Sequence, residues 1–302
     1  MLETDAVSRR HLLFIVGFLA FLFGGFALWG TVEKAIERGS FGGFGSIGDP
    51  APVGADRAAF LAERRKQFQT RKQMAVSGKA GDWRGAVRIA DTYLARNEDA
   101  NIRLLRGEAL FRLGDNQGGI AMAEVSGGEE GEAELLRGRT RDYEQKTRDA
   151  IRRTDENKAT ALDANNTAWL AAFTPVISEP ELLTKAVALA EKAVRSARSG
   201  EDAQAAGELA TYTNTLGGVY FRAGRDREAI TTLLESEKMR PDPFNAAFLT
   251  LAYRRAGNTA AETTWRDRLE THLDDTYATR DGQLYRHQLL LLWREIADGK
   301  QE

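Results

Sequence analysis

The sequence has no cysteine, six prolines, three histidines and little excess of either charge. The missing cysteines exclude disulfides, thiol catalysis and cysteine-ligated metals, without identifying a compartment. Scarce proline leaves long stretches free to form helix. A net charge of −2 with 28% charged residues gives no whole-protein attraction to nucleic acid, and none is expected as a partner. His272 and His287 are fifteen residues apart, unlike the three- or four-residue spacing that aims two ligands from one helix face, and His11 stands alone. No HExxH, Walker A, GxSxG or kinase motif occurs. Gly43, Gly45 and Gly48 satisfy a dinucleotide-binding pattern by letter. No strand pattern precedes them, however, and Asp49-Pro50 follows where a helix would have to begin. Acidic pairs such as Glu129-Glu130 and Asp274-Asp275 have polar neighbours, which suits solvation better than acid–base work. The expectation is a chain without catalytic chemistry, cofactor or metal.

What is present begins with an apolar run. Residues 12–29 contain no charge and include twelve Leu, Ile, Val or Phe side chains. As a helix the run covers about 27 Å at ~1.5 Å per residue, close to a hydrocarbon core. Its strong hydrophobes supply about −4 to −7 kcal/mol toward insertion. Trp29 is bulky where a cleaved leader needs small residues, so the run reads as a retained anchor. The expected layout is a cytoplasmic tail at residues 1–11 and a single transmembrane helix at 12–32. The short tail, with Arg9 and Arg10, stays on the cytoplasmic side of a bacterial inner membrane, and the rest lies in the periplasm. The Arg9-Arg10 pair also resembles a twin-arginine export signal; as two headgroup anchors it gives the same orientation. Gly17, Ala20, Gly24 and Gly25 make a small-residue strip on which another transmembrane helix packs closely.

Residues 33–56 are rich in Gly, with Pro50 and Pro52, and read as a spacer. Beyond them apolar residues recur mainly at helical spacing, which predicts an all-α fold. The first helical stretch carries Arg57, Arg64, Arg65, Lys66, Arg71 and Lys72 against Glu63. That suits either a solvated helix face or contact with anionic headgroups or an acidic partner.

A repeat then emerges. Thirty-three residues separate Gly81 from Gly114, and the same interval separates Gly224 from Gly257; Asp or Asn follows three of the four glycines, as Asp82, Asp115 and Asn258. The clearest copy has Leu216, Gly217, Tyr220, Gly224, Ala229 and Pro241. Gly217 and Ala229 are small where two antiparallel helices cross, Tyr220 fills the space between them, Gly224 makes the turn, and Pro241 stops the second helix. Ser236 stands where a small apolar residue is usual. This copy resembles the tetratricopeptide repeat. Leu104, Gly107, Leu110 and Phe111 give a second copy with Gly119 at the usual alanine. Leu249, Ala252, Tyr253 and Gly257 give a later one, and Asn165-Asn166 with Ala168-Trp169 resembles a bacterial variety of the family.

The resemblance implies an α-solenoid of helical hairpins. The first block spans residues 57–128, a charged bridging helix 129–160, the second block 161–275, and an apolar capping helix 276–302. It also implies a concave groove lined by the first helices. Family positions that face it fall on Asn101, Leu104, Glu108, Phe111 and Arg112, on Thr211, Asn214, Phe221 and Arg222, and on Phe244, Leu251, Arg254 and Arg255. Aromatic and Arg side chains there suit a protein ligand. The expected function is a membrane-anchored scaffold that stabilises or assembles an integral-membrane protein complex of photosynthetic, respiratory, envelope or secretion type. The alternatives are a periplasmic chaperone-like assembly factor and a cytoplasm-facing adaptor.

Overall fold

The computed structural model describes residues 55–126, 135–138, 140–173, 179–200, 203–278 and 286–299. The anchor, the spacer to residue 54, and with them Gly17, Ala20, Gly24 and Gly25, lie outside the described residues. Among the described residues no helix is long and apolar enough to cross a membrane.

These residues form thirteen helices and no strand. In chain order they are α1 (Ala55–Lys79), α2 (Trp83–Leu94), α3 (Ala100–Arg112), α4 (Asn116–Ser126), α5 (Thr140–Arg153), α6 (Ala161–Phe173) and α7 (Pro180–Ser199). There follow α8 (Ala203–Gly207), α9 (Leu209–Arg222), α10 (Asp226–Met239), α11 (Pro243–Arg255), α12 (Thr259–Thr276) and α13 (Arg286–Asp298). The chain divides into two units, Met1–Arg64 and Arg65–Glu302. Of the first, only the opening of α1 is described. There Phe60 is exposed and the Arg64 guanidinium lies 5.3 Å from its ring centroid. The second unit packs its helices in solenoid-like order.

Four hairpins share one turn. In each, the glycine N–H donates to the carbonyl three residues back and the next N–H donates to the carbonyl five residues back. Thus Gly81 bonds Gly78 and Asp82 bonds Ser77, Gly114 bonds Phe111 and Asp115 bonds Leu110, Gly224 bonds Phe221 and Arg225 bonds Tyr220, and Gly257 bonds Arg254 and Asn258 bonds Tyr253. This paired bonding is the Schellman end of a helix, which needs a left-handed residue. The four glycines have φ of 70°, 80°, 77° and 71°. A Cβ at any of them would meet nothing within 4 Å, so backbone angle rather than crowding selects glycine. The side chains of Asp82, Asp115 and Asn258 then accept from Gly85, Gln117 and Ala261 N–H groups at 2.8, 2.8 and 3.2 Å and start the second helices.

Close helix crossings follow from small side chains. A Cβ on Gly217 would lie 2.5 Å from Leu233 Cγ, and one on Gly118 only 2.2 Å from the Phe111 backbone nitrogen. At Gly119, where the repeat usually has alanine, the carbonyl of Leu136 approaches to 2.2 Å of a built Cβ. Ala164, Ala168, Ala171, Ala186, Ala190 and Ala193 are fully buried where α6 meets α7. Ser236 donates to the Ala210 carbonyl at 2.9 Å, which satisfies the hydroxyl at the crossing of α9 and α10. Tyr220 departs from expectation. It reaches back out of its own hairpin to donate to Glu191 of α7 at 2.9 Å, and burial first, then this bond, pushes its hydroxyl up to about 12. Within 129–160 the described helix is α5, which buries only Tyr143, Thr147 and Ile151.

One further feature was not expected. The end of α12 returns to the beginning of the second unit. Tyr277 is buried with Met74, Ala86, Ile102 and Leu105, meets the Trp83 ring edge-on at 5.1 Å, and donates to the Leu105 carbonyl at 3.0 Å. Lys79 pairs with Asp275 at 2.7 Å, and Arg71 donates to the Ala278 carbonyl at 2.9 Å.

Candidate protein-binding groove

The first helices α6, α9 and α11 pack in a row, and α13 reaches these three and α3 through side-chain bonds. α13 lies within the segment 276–302 that was expected to form a capping helix, and it covers side chains of the first helices. At its first residue, Arg286 inserts between α3 and α12. It donates to Glu108 Oε2 at 2.5 Å and Oε1 at 2.6 Å, to the Leu273 carbonyl at 2.5 Å and to Thr276 Oγ1 at 2.7 Å. Both members of the Arg286–Glu108 pair are almost fully buried, so their charges depend on each other for solvation. Two residues on, Gln288 accepts from the indole N–H of Trp169 in α6 at 3.3 Å.

At the far end Glu295 takes a two-pronged bond from Arg222 of α9, at 2.6 and 2.8 Å, while Arg222 Nε donates to the Ala172 carbonyl at 2.7 Å. Such forked pairs fix geometry as well as charge. Arg254 of α11 donates to the Ile296 carbonyl at 2.8 Å and to Glu262 at 3.0 Å. Between these points Leu289, Leu290, Leu292 and Ile296 are buried in the main core, and Arg294 lies 4.3 Å from the Phe111 ring centroid.

Arg112 is the last residue of α3. Its guanidinium is 4% exposed, donates to Asp274 at 2.7 Å and Glu108 at 3.3 Å, and faces the Trp83 and Trp293 rings at 4.3 and 5.5 Å. Among the described residues its buried Nη2 has no hydrogen-bond partner. Burial raises the Asp274 carboxyl above the usual range, with Arg112 acting in the opposite direction. Burial, then the Arg286 charge, lowers the neighbouring His272 imidazole.

Of the residues expected in the groove, Glu108, Phe111, Arg112, Arg222 and Arg254 meet α13 directly. Phe221 and Leu251 are each 6% exposed and belong to the core, where Leu104 and Phe244 pack at its margin. Phe244 meets Trp169 edge-on at 5.1 Å. Asn214 is buried and donates to Asn245 at 2.6 Å, and Asn245 donates to Glu237 at 3.2 Å, a polar ladder between neighbouring hairpins. Thr211 donates to Glu208 at 2.8 Å. Arg255 pairs with Asp226 at the start of α10, and Asn101 is exposed at the start of α3. The row therefore does not gather all thirteen into one open surface.

Sequence reasoning missed Trp169, Arg286, Gln288 and Glu295 as groove residues. Their one sequence signal is charge inside an otherwise apolar segment, Arg286 and Glu295 flanking the leucine run 289–292. Elsewhere, depressions of about 370 Å³ beside Asp267, Arg268, Thr271 and His272, and about 390 Å³ beside Arg152, Glu179 and Leu182, are open to solvent. Among the described residues no set of His, Asp or Glu converges as a metal site. No protein-family model matches the chain, and no curated protein matches it in sequence.

Proposed function

We propose that the chain is a membrane-anchored tetratricopeptide-type scaffold that binds a helical segment of another protein and thereby stabilises or assembles an integral-membrane complex. The observation that carries this reading is the row of first helices, which accommodates an amphipathic helix along its face. The four matching turns and the Gly217–Leu233 crossing support the repeat assignment. The apolar run at residues 12–29 supports a single anchor in a bacterial inner membrane, with the helical domain in the periplasm. The role is binding rather than catalysis. On α1, Arg65, Phe68, Lys72 and Val76 share an exposed face that suits the bilayer surface or its anionic headgroups.

Two measurements test the proposal. Reporter fusions after Glu302 should be active with a periplasmic reporter and silent with a cytoplasmic one; the reverse overturns the orientation. Purification of the full chain in mild detergent should bring down integral-membrane subunits at fixed stoichiometry. Recovery of the chain alone from the membrane overturns the scaffold.

A further inference from the structure

From Arg65 onward α1 belongs to the second unit, and there its two sides differ in kind. Thr70, Met74 and Gly78 are buried, Met74 in the cluster beneath α2. On the opposite side Arg65, Phe68, Lys72 and Val76 follow one another at intervals of three and four residues, which sets them within about 100° of helix surface. Phe68 is 56% exposed and Val76 65%. The large apolar side chains exposed elsewhere in this unit, Leu113, Leu162 and Met239, stand singly at or beside helix ends. The basic side chains of the stretch sort by side as well. Lys66 donates to Asn97 at 3.2 Å, Arg71 donates to the Ala278 carbonyl and Lys79 pairs with Asp275, so these three serve the fold. Among the described residues Arg65 and Lys72 have no such partner, and residues 65–79 contain no acid although the chain as a whole is slightly negative.

Water solvates the two cations but not the apolar pair beside them. A second copy of the face, paired about a twofold axis, would set cation against cation. Anionic headgroups answer the cations, and the boundary of the acyl chains takes Phe68 and Val76. The sequence puts such a surface within reach. Twenty-five residues, 30–54, separate the apolar run from α1, which is at most about 90 Å of chain.

We infer that the second unit docks on an anionic lipid surface through this face. The axis of α1 runs along the bilayer, with Arg65 and Lys72 at the phosphates and Phe68 and Val76 below them. This rests on the anchor proposed above and deepens it: the run at residues 12–29 retains the chain, whereas α1 sets which side of the second unit faces the membrane.

The chain has no cysteine, so Val76→Cys offers a single point for an environment-sensitive fluorophore. The full chain carrying it is placed, one copy per disc, in lipid nanodiscs of phosphatidylcholine alone or mixed equally with phosphatidylglycerol. In the mixed discs the emission should shift to the blue and be lost to a quencher fixed on the acyl chains; in phosphatidylcholine it should match emission in water. Each cation near an anionic surface strengthens such a contact about fivefold, so Arg65→Gln with Lys72→Gln should weaken docking roughly 25-fold and leave helicity unchanged. A label in water in both kinds of disc overturns the inference. Equal quenching in both removes the role of lipid charge and overturns it too. A blue-shifted label that the lipid quencher does not reach is covered by protein, which also overturns it. The two readings fail separately. A chain retained in the disc with its label in water removes the docking and leaves the anchor; a chain that does not enter the disc removes the anchor and the docking with it.

Discussion

The hairpins α9/α10 and α11/α12 and the hairpins α1/α2 and α3/α4 end their first helices with the same left-handed glycine, yet they are held by different means. In α9/α10 the crossing is a side chain on a glycine, Leu233 over Gly217, and the polar residue Ser236 is satisfied within the hairpin. In α3/α4 it is backbone on backbone at Gly118, and the cluster beneath α2 is completed by Tyr277, far along the sequence. In a stack where each repeat touches only its neighbours, stability is a sum of local interfaces. The later hairpins cross through contacts of their own and reach α13 through Arg222 and Arg254 at their helix ends, whereas the earlier ones bury the distant residues 277 and 286 among their helices. The turn is thus a local property of a few residues, while what holds a hairpin is not.

The largest break in that comparison should come from Glu108→Ala. It strands the Arg286 charge in a dry site, for which a loss of about 3–5 kcal/mol is typical. Urea unfolding followed by circular dichroism measures it. Asp226→Ala, which breaks the far more exposed Arg255–Asp226 pair, should cost less than about 1 kcal/mol.

Gly118→Ala comes next, at about 1–3 kcal/mol, because the new methyl meets backbone that cannot step aside. Gly217→Ala should cost less, since Leu233 can change rotamer. Equal costs would erase the distinction between the two crossings.

Tyr277→Phe and Ser236→Ala each remove one hydrogen bond and should cost roughly 1 kcal/mol. Their hydrogen-exchange patterns separate the regions. Tyr277→Phe should expose amides of α2 and α3, some 170 residues away in sequence, whereas Ser236→Ala should act only within α9 and α10.

The smallest effect is one of pH. The folded protein holds the His272 imidazole below its usual value of 6.5, through burial and then Arg286, against the opposing carboxylates of Asp242 and Asp275. The unfolded chain therefore takes up a proton more readily. The stability this residue contributes is present above that ordinary value and is lost as pH falls through the lowered one. His272→Gln should flatten the melting temperature between pH 7 and 5 by a small amount.

The all-helical fold and the four glycine turns were legible in the sequence, the turns for a local reason. Gly81, Gly114, Gly224 and Gly257 are dictated by the angle of their own residue, and Gly217 by a partner sixteen residues away. The occupant of the groove was not legible. Helical periodicity tells which face of α3 or α9 is apolar or functional, but not which element will cover it. Phe221 and Arg222 show the cost. On an open groove, changing both to Ala spares the fold; with Phe221 in the core and Arg222 forked onto Glu295, the double change should lower the melting temperature. Tyr220 marks a subtler limit, since its aromatic type was expected but its reach to Glu191 was not.

The return of Asp275, Tyr277 and Ala278 to α1, α2 and α3 has a mechanical consequence. Tension applied near the start of the second unit passes straight into the end of α12 through Lys79, Arg71 and Tyr277. The intervening hairpins are bypassed, as spans are when two ends of a chain are shackled together. Under load, the shackle must open before any hairpin between its ends is stretched.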